Sequence, residues 1–341
     1  TNLVNKRWPD PMTGYRIQGL MAGTREGRAK AIIALQTDTT KGPYAEAERI
    51  KALSMVNDGY RDSALEELLY SDGHPAIRQV AFGALGDRNQ RQMMMPRAIS
   101  YDMQLEQAAP FWHRVFGSGD PGLICAAAER LVGVQARELR VLFPANVEQQ
   151  ARTALQPLRD LEAVQLLDDL AAARDGKAKP THRSPAFNHP IDRKRLCALE
   201  QGQRYRITTG KGEIIIATDV NECPGSSLAF DSLVAAGYYN GKAFHRMVPN
   251  FVVQGGCPRG DGYGGMPWTL RTEIGRKPFT AGSVGLASAG RDTESCQFFI
   301  THSATPHLDG RYTRFGEVVS GMDVVWQLQV GDVMEKVVRI E

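Results

Sequence analysis

Arg246 and Gln254 lie inside FHRMVPNFVVQGG (Phe244 to Gly256), a stretch otherwise built from apolar and turn-forming residues. Arginine stays charged and carries its N–H donors in a fixed fork. Glutamine offers a donor and an acceptor on one amide. Left unpaired among aromatic and aliphatic neighbours, both are costly to bury. Either the protein supplies their partners or a ligand does. Other chemistries find little support. The seven histidines show no paired spacing such as H-E-x-x-H, so no metal site is suggested. The five cysteines form no C-x-x-C. The glycines between Gly260 and Gly265 lead into neither G-K-[ST] nor a Rossmann context, which argues against a phosphate cradle.

The elements that must hold Arg246 and Gln254 are two short strands and a turn. Phe244, Met247, Val248, Phe251, Val252 and Val253 are β-formers or apolar fillers. Pro249-Asn250 is turn chemistry, and Gly255-Gly256 lets the backbone bend after the second run.

The chain around them has 341 residues, a length that favours two domains. With 42% hydrophobic and 23% charged residues it is globular and can bury sizeable cores. A formal net charge of +3 is too mild to argue for nucleic acid. No run approaches the roughly 18 apolar residues of a membrane span, and no signal-peptide pattern opens the sequence. Free cysteines favour a soluble protein in a reducing, cytoplasmic setting. The first residue is Thr, so an exported, periplasmic or organellar location after processing stays open, as does a single disulfide in the second half.

Residues 1–175 read as helical. After an extended lead-in around Trp8, helical periodicity appears at Gly27–Gln36, at Tyr44–Val56 and in the segment opened by Asp62. HPAIRQVAFGALG (74–86) begins with Pro near a helix start and ends on a Gly that can stop it. PGLICAAAERLVG (121–133) echoes it, and Gly27–Leu35 is a weaker echo. Offsets near 46 and 50 are close to HEAT or armadillo periods, so the region reads as a short HEAT-like solenoid or an irregular bundle. Val134–Pro144 reads as a solvated helix face or a basic patch. Further helices are expected at Val147–Leu158 and Asp160–Ala173.

Residues 176–202, with Pro180, Pro185 and Pro190 among lysines and arginines, read as a linker or extended strap, or a docking site for an acidic partner. From Arg204 the period changes from 3.6 to 2. A hairpin spans Tyr205–Ile216, a helix Ser227–Ala236, and short strands fall at Ser283–Ala289, Gln297–Thr301, Thr313–Val318 and Val333–Ile340, with Met322–Gln329 helical. Many short strands with two helices indicate a closed or nearly closed β-sheet.

Several ordered blocks carry a family resemblance: TTGKGEIII, GYYNGKAFHRMVPNFVVQGG, GDGYGG, SVGLASAGRDTESCQFFIT and HLDGRYTRFGEVVSGMDVV. Together they resemble the cyclophilins, peptidyl-prolyl cis-trans isomerases, over about residues 203–341. The resemblance implies an eight-stranded antiparallel β-barrel closed by two helices, an active site on its outer face, and no metal or cofactor. It implies Arg246 as the catalytic arginine, with Gln254 and Gln297 positioning the arginine and the substrate backbone. Phe251, Phe299 and Leu308 resemble the walls of the proline pocket. Val252 stands where many members have Met. Ser288, between Ala287 and Ala289 on the substrate-binding strand, stands where many have Asn. Gly262 matches a glycine on the groove for the residues before proline. Tyr312 replaces a common His. His307 replaces the Trp of the best-known members, a change that bears on cyclosporin binding more than on catalysis.

The implied chemistry fits these residue types. Resonance gives the peptide bond a rotational barrier of about 18–20 kcal/mol, and Xaa-Pro isomers exchange over tens to hundreds of seconds. At the twisted transition state the lone pair returns to nitrogen. A guanidinium N–H aimed there stabilises that state more than the ground state. Lowering the barrier by about 7 kcal/mol would accelerate exchange about 10⁵-fold. The expected function is isomerisation of Xaa-Pro bonds in proline-containing polypeptides, assisting folding, with the helical domain recruiting clients or a protein partner. The alternative is a scaffold subunit that uses the barrel to bind a proline segment.

Overall fold

The computed structural model describes residues 42–54, 62–94, 99–182, 184–186 and 188–341. The lead-in around Trp8 and the Gly27–Gln36 segment, with its repeat echo, lie outside the described residues. The chain separates into two units. The first runs to Ala154 and takes in Leu166–Pro180; the second comprises Leu155–Gln165 and Thr181–Glu341. Among the described residues, no helix is long and apolar enough to cross a membrane.

The N-terminal region is helical: α1 Pro43–Ser54, α2 Asp62–Leu69, α3 Pro75–Met94, α4 Tyr101–Phe116, α5 Pro121–Leu131, α6 Ala136–Leu142, α7 Ala145–Thr153 and α8 Leu161–Arg174. Trp112 of α4 is fully buried. Its ring meets Phe82 of α3 edge-on at 6.3 Å, and its indole N–H donates to Asn89 Oδ1 at 2.9 Å. That bond satisfies the one polar atom of an otherwise apolar anchor.

Two sequence expectations change here. Gly86 does not stop its helix, which runs on to Met94. A Cβ at Gly86 would lie 3.4 Å from Arg130 Nε, while Arg130 donates to Gly83 O at 3.2 Å and to Asp87 Oδ1 at 2.6 Å. Gly83 and Gly86 therefore form a seat for an arginine of α5. The two echoed segments are helices of 20 and 11 residues, which bears out the helical assignment. The helix expected over Val147–Leu158 ends at Thr153, because Pro157 has no N–H to offer and its ring clashes with the preceding turn.

Asp120 caps α5. Its Oδ1 accepts from Leu123 N–H at 3.0 Å, and its Oδ2 pairs with Arg78 at 2.6 Å. Replacing it with Ala removes the cap and leaves the half-buried Arg78 without this carboxylate. Asp120→Ala is expected to destabilise the helical unit by about 1–3 kcal/mol, read as a lower urea midpoint by circular dichroism. An unchanged midpoint would refute the capping role.

In the second unit, the Pro-rich stretch lies against the sheet domain from Pro185 onward. Asn188 donates to Pro267 O and accepts from Thr269 N–H, each at 3.1 Å. His189 stacks on Trp268 at 4.1 Å, and Arg271 donates to Pro185 O at 3.2 Å. A short helix α9, Arg193–Leu196, is capped by Asp192. Leu196 and Leu199 then pack on Val220 and Leu228.

Among the described residues this unit holds nine antiparallel strands: β1 Arg204–Thr209, β2 Gly212–Thr218, β3 Lys242–Ala243, β4 Arg246–Val248, β5 Val252–Gly255, β6 Ser283–Leu286, β7 Phe298–Thr301, β8 Arg314–Ser320 and β9 Val333–Ile340. Their order is β3-β9-β1-β2-β8-β6-β7-β5-β4. The two edges belong to one bent segment. Lys242–Ala243 pairs with β9, and Arg246–Val248, three residues on, pairs with β5. Between them Phe244 N–H donates to Asp332 O at 2.8 Å and His245 N–H to Gln254 O at 3.1 Å. The bend thus curls the sheet on itself, and β3 with β4 counted as one strand gives the expected eight.

Helix α10, Pro224–Ala235, starts at Pro224, earlier than the apolar pattern indicated. Gly237 takes φ +67° past its end, so that Tyr238 N–H returns to Leu233 O. Phe230 of α10 meets Phe298 edge-on inside the sheet at 5.7 Å, among Tyr205, Ile216, Phe244 and Phe315. The last helix, α11 Met322–Val325, is one turn long; the chain then turns and buries Leu328.

Candidate active site

Strand alternation sorts this unit into two apolar clusters. Val253, Val284, Leu286, Phe298 and Ile300 face the main core. Their neighbours point to the opposite face. There Val252 and Phe299 join Phe279 and Leu308 in a small separate cluster, with Phe251, Ala287 and Tyr312 packed partly against it. The register aligns four residues in one row across four strands: Arg246 opposite Gln254, Gln254 opposite Phe299, and Phe299 opposite Gly285. A polar pair and an aromatic wall therefore share one face because of a two-residue period and a fixed register.

The aromatic side opens as a cleft of about 390 Å³ lined by Phe251, Ser288, His307, Leu308 and Tyr312, with Gly290, Arg291 and Arg311 at its border. Phe251 and His307 approach at 5.3 Å, and Tyr312 stands edge-on to Phe299 at 6.1 Å. His307 and Leu308 ride on a 3-10 turn, Pro306–Leu308, that buries Leu308 and exposes His307.

The polar side is a chain of hydrogen bonds. Arg246 Nη1 makes a long contact of 3.5 Å to Gln254 Oε1. Gln254 Nε2 donates to Gln297 Oε1 at 3.1 Å. Gln297 Nε2 donates to the carbonyls of Gly262 and Gly264, both at 2.9 Å. Gly265 N–H in turn donates to Arg159 O at 2.8 Å, so Leu155–Gln165 of the same unit backs the glycine loop. Arg246 is exposed, and no carboxylate among the described residues pairs with it. The donor fork is held from one side and free on the other.

Not every residue singled out from the sequence lines the cleft. Gly262 stands on the glutamine side, with φ +95° and its carbonyl bound to Gln297. Ala287 N–H donates to Gln297 O at 3.0 Å, and Ala289 N–H to Thr293 Oγ1 at 2.9 Å. Val252 is buried beneath the aromatic wall rather than offered to solvent.

Two residues packed in or against this small cluster escaped the sequence reading. Phe279 stacks on Phe299 at 5.8 Å, with its backbone tied to the turn region by Thr305 N–H and Asp309 Oδ1. It comes from an irregular stretch whose sequence carries no signal. Gly285 sits in the row with Phe299, where a Cβ would come within 2.5 Å of Phe299 Cζ. A glycine inside a strand pattern is a sign of close approach and could have revealed it.

His245 adds a titratable group beside Arg246. Among the described residues neither ring nitrogen has a hydrogen-bond partner. Burial first, then the adjacent Arg246 charge, push its pKa down to about 4. Unfolded, a histidine titrates near 6.5, so between those values the unfolded chain binds the extra proton. The stability from neutral His245 is therefore complete above about pH 6.5 and is lost as pH falls toward about 4. Urea midpoints measured from pH 7.5 down to pH 4.5 should fall more steeply for the wild type than for His245→Leu; parallel profiles would contradict this.

A family model described as "Cyclophilin type peptidyl-prolyl cis-trans isomerase/CLD" matches residues 204–341. Peptidyl-prolyl cis-trans isomerase B of Bacillus subtilis is 47% identical over 120 residues, 35% of this chain and 83% of that protein. A peptidyl-prolyl cis-trans isomerase of Helicobacter pylori is 40% identical over 136 residues, 39% of this chain and 83% of that protein. One from Synechococcus elongatus is 41% identical over 128 residues, 37% of this chain and 88% of that protein. With the curled antiparallel sheet and its outer-face cluster in place, the chain belongs to the cyclophilin-type peptidyl-prolyl cis-trans isomerases.

Proposed function

We propose that Arg246 is the catalytic group of this isomerase and that Phe251, Phe299, Leu308 and Tyr312 seat the proline ring. The supporting observation is the guanidinium itself: exposed, without a carboxylate, and braced on one side by Gln254 at the edge of a separate apolar cluster. A proline anchored on that cluster would leave its preceding carbonyl free to swing. The fork would then meet the nitrogen lone pair only in the twisted state, the condition for lowering a barrier. Gln254 and Gln297 hold the fork in line, and Gln297 takes its own orientation from the Gly262 and Gly264 carbonyls. No proton moves and no bond is broken. A scaffold that only bound proline would have no need of an uncompensated guanidinium at the row's edge.

The same reading assigns the helical region to recruitment of unfolded clients or a partner protein. NMR exchange on an Xaa-Pro peptide tests the chemistry: absence of acceleration by the full chain would overturn it. Recruitment is tested by comparing kcat/KM on a short peptide with that on an unfolded protein limited by one proline. Recruitment gives the protein the advantage, and equal values would remove it.

A further inference from the structure

The border of the cleft carries charge that the reaction does not use. Arg291 and Arg311 line it beside His307 and Tyr312. Both are exposed. The acids nearest to them in the chain are engaged elsewhere. Asp292 pairs with Arg271 at 3.2 Å and accepts from Thr272 N–H at 2.9 Å. Asp309 accepts from Phe279 N–H at 2.7 Å. Glu294 is buried between the hydroxyls of Thr272 and Thr313. Among the described residues no carboxylate pairs with Arg291 or Arg311, and Arg246 on β4 is equally uncompensated. This is a local excess, since the whole chain carries only +3.

We propose that Arg291 and Arg311 select Xaa-Pro segments with an Asp or Glu close to the proline, on whichever side brings the carboxylate to the arginine border. The inference rests on the cleft being the proline site. Guanidinium groups accept carboxylates in bidentate geometry. At an exposed rim the attraction is modest and falls with salt. Lysine-flanked segments meet the same charges as repulsion, which sharpens discrimination and slows their encounter.

The test uses the full chain and peptides that share one Ala-Pro pair, flanked on either side by Glu, Gln or Lys. NMR exchange yields kcat/KM and NMR titration yields Kd, at about 20 mM and about 500 mM salt. The expected order is Glu over Gln over Lys, with about fivefold to thirtyfold between the extremes at low salt and much less at high salt. Arg291→Glu with Arg311→Glu should reverse the order. If that variant does not fold, Arg291→Gln with Arg311→Gln should flatten it. Equal values for the three peptides, or an order unmoved by these changes, would overturn the proposal. Charge-ordered Kd values without acceleration of any peptide would refute the isomerase site and leave the charge selection standing. Acceleration without charge order does the reverse.

Discussion

Arg246→Ala should lower kcat/KM for Xaa-Pro exchange by about 10²–10³-fold while the protein remains folded. The magnitude follows from the role proposed for Arg246, one preorganised donor aimed at charge that develops only in the transition state. The stability expectation follows from position. Arg246 is exposed on the short strand β4, and its contact to Gln254 is long. Substitutions at such sites stay within about 0.5 kcal/mol. Arg246→Lys keeps the charge but replaces the planar fork by a point charge, so it should recover only part of the lost rate. Peptide exchange by NMR, with a thermal melt on the same samples, separates the two effects. A variant that unfolds, or one that keeps its activity, would each remove Arg246 from the role assigned to it.

The second large effect is expected at a residue with no side chain. A Cβ on Gly285 would stand 2.5 Å from Phe299 Cζ and 2.9 Å from Phe279 Cε1. Phe299 is held between Phe279 and the edge of Tyr312, so neither ring can move without disturbing the pocket wall. Gly285→Ala should therefore cost about 1–3 kcal/mol by overpacking. On the proposed site it should also reduce kcat/KM, mainly through a higher KM, because the aromatic cluster is displaced while Arg246 is not. Combining it with Phe299→Leu removes the clashing ring. The double variant should then be more stable than the sum of the two single changes predicts, since the residues touch. Additive destabilisation in urea unfolding would show that the contact does not constrain the wall.

Much of this site was legible because β-structure has a strict period. Once FHRMVPNFVVQGG is read as strand, turn and strand, Val253 must face away from Val252 and Gln254. The same parity separates Phe299 from Phe298 and Ile300. Arg246 and Gln254 were visible by type alone, as polar residues in an apolar frame, although Arg246 proves to be exposed; Gln297 was reached only through the family resemblance. The ordered blocks then led to a family, and through it to a fold.

Other features depended on contacts distant in the chain. Gly86 looked like a helix stop, yet it lies within α3, where Arg130 of another helix packs against it. Local sequence holds no trace of that partner. Phe279 joins the wall only because the segment around the 3-10 turn ties down its backbone. Arg159 enters the loop-holding chain of bonds by a carbonyl, which every residue type possesses. The open charge of Arg291 and Arg311 likewise depends on where Asp292, Asp309 and Glu294 spend their oxygens. By itself the sequence determined the helical and β halves, the strand parity and the chemistry-bearing residues, because those rest on local periodicity and side-chain type. Tertiary structure alone decided which residues meet across the face and which charges remain unpaired, because those follow from register and from neighbours far apart in the chain.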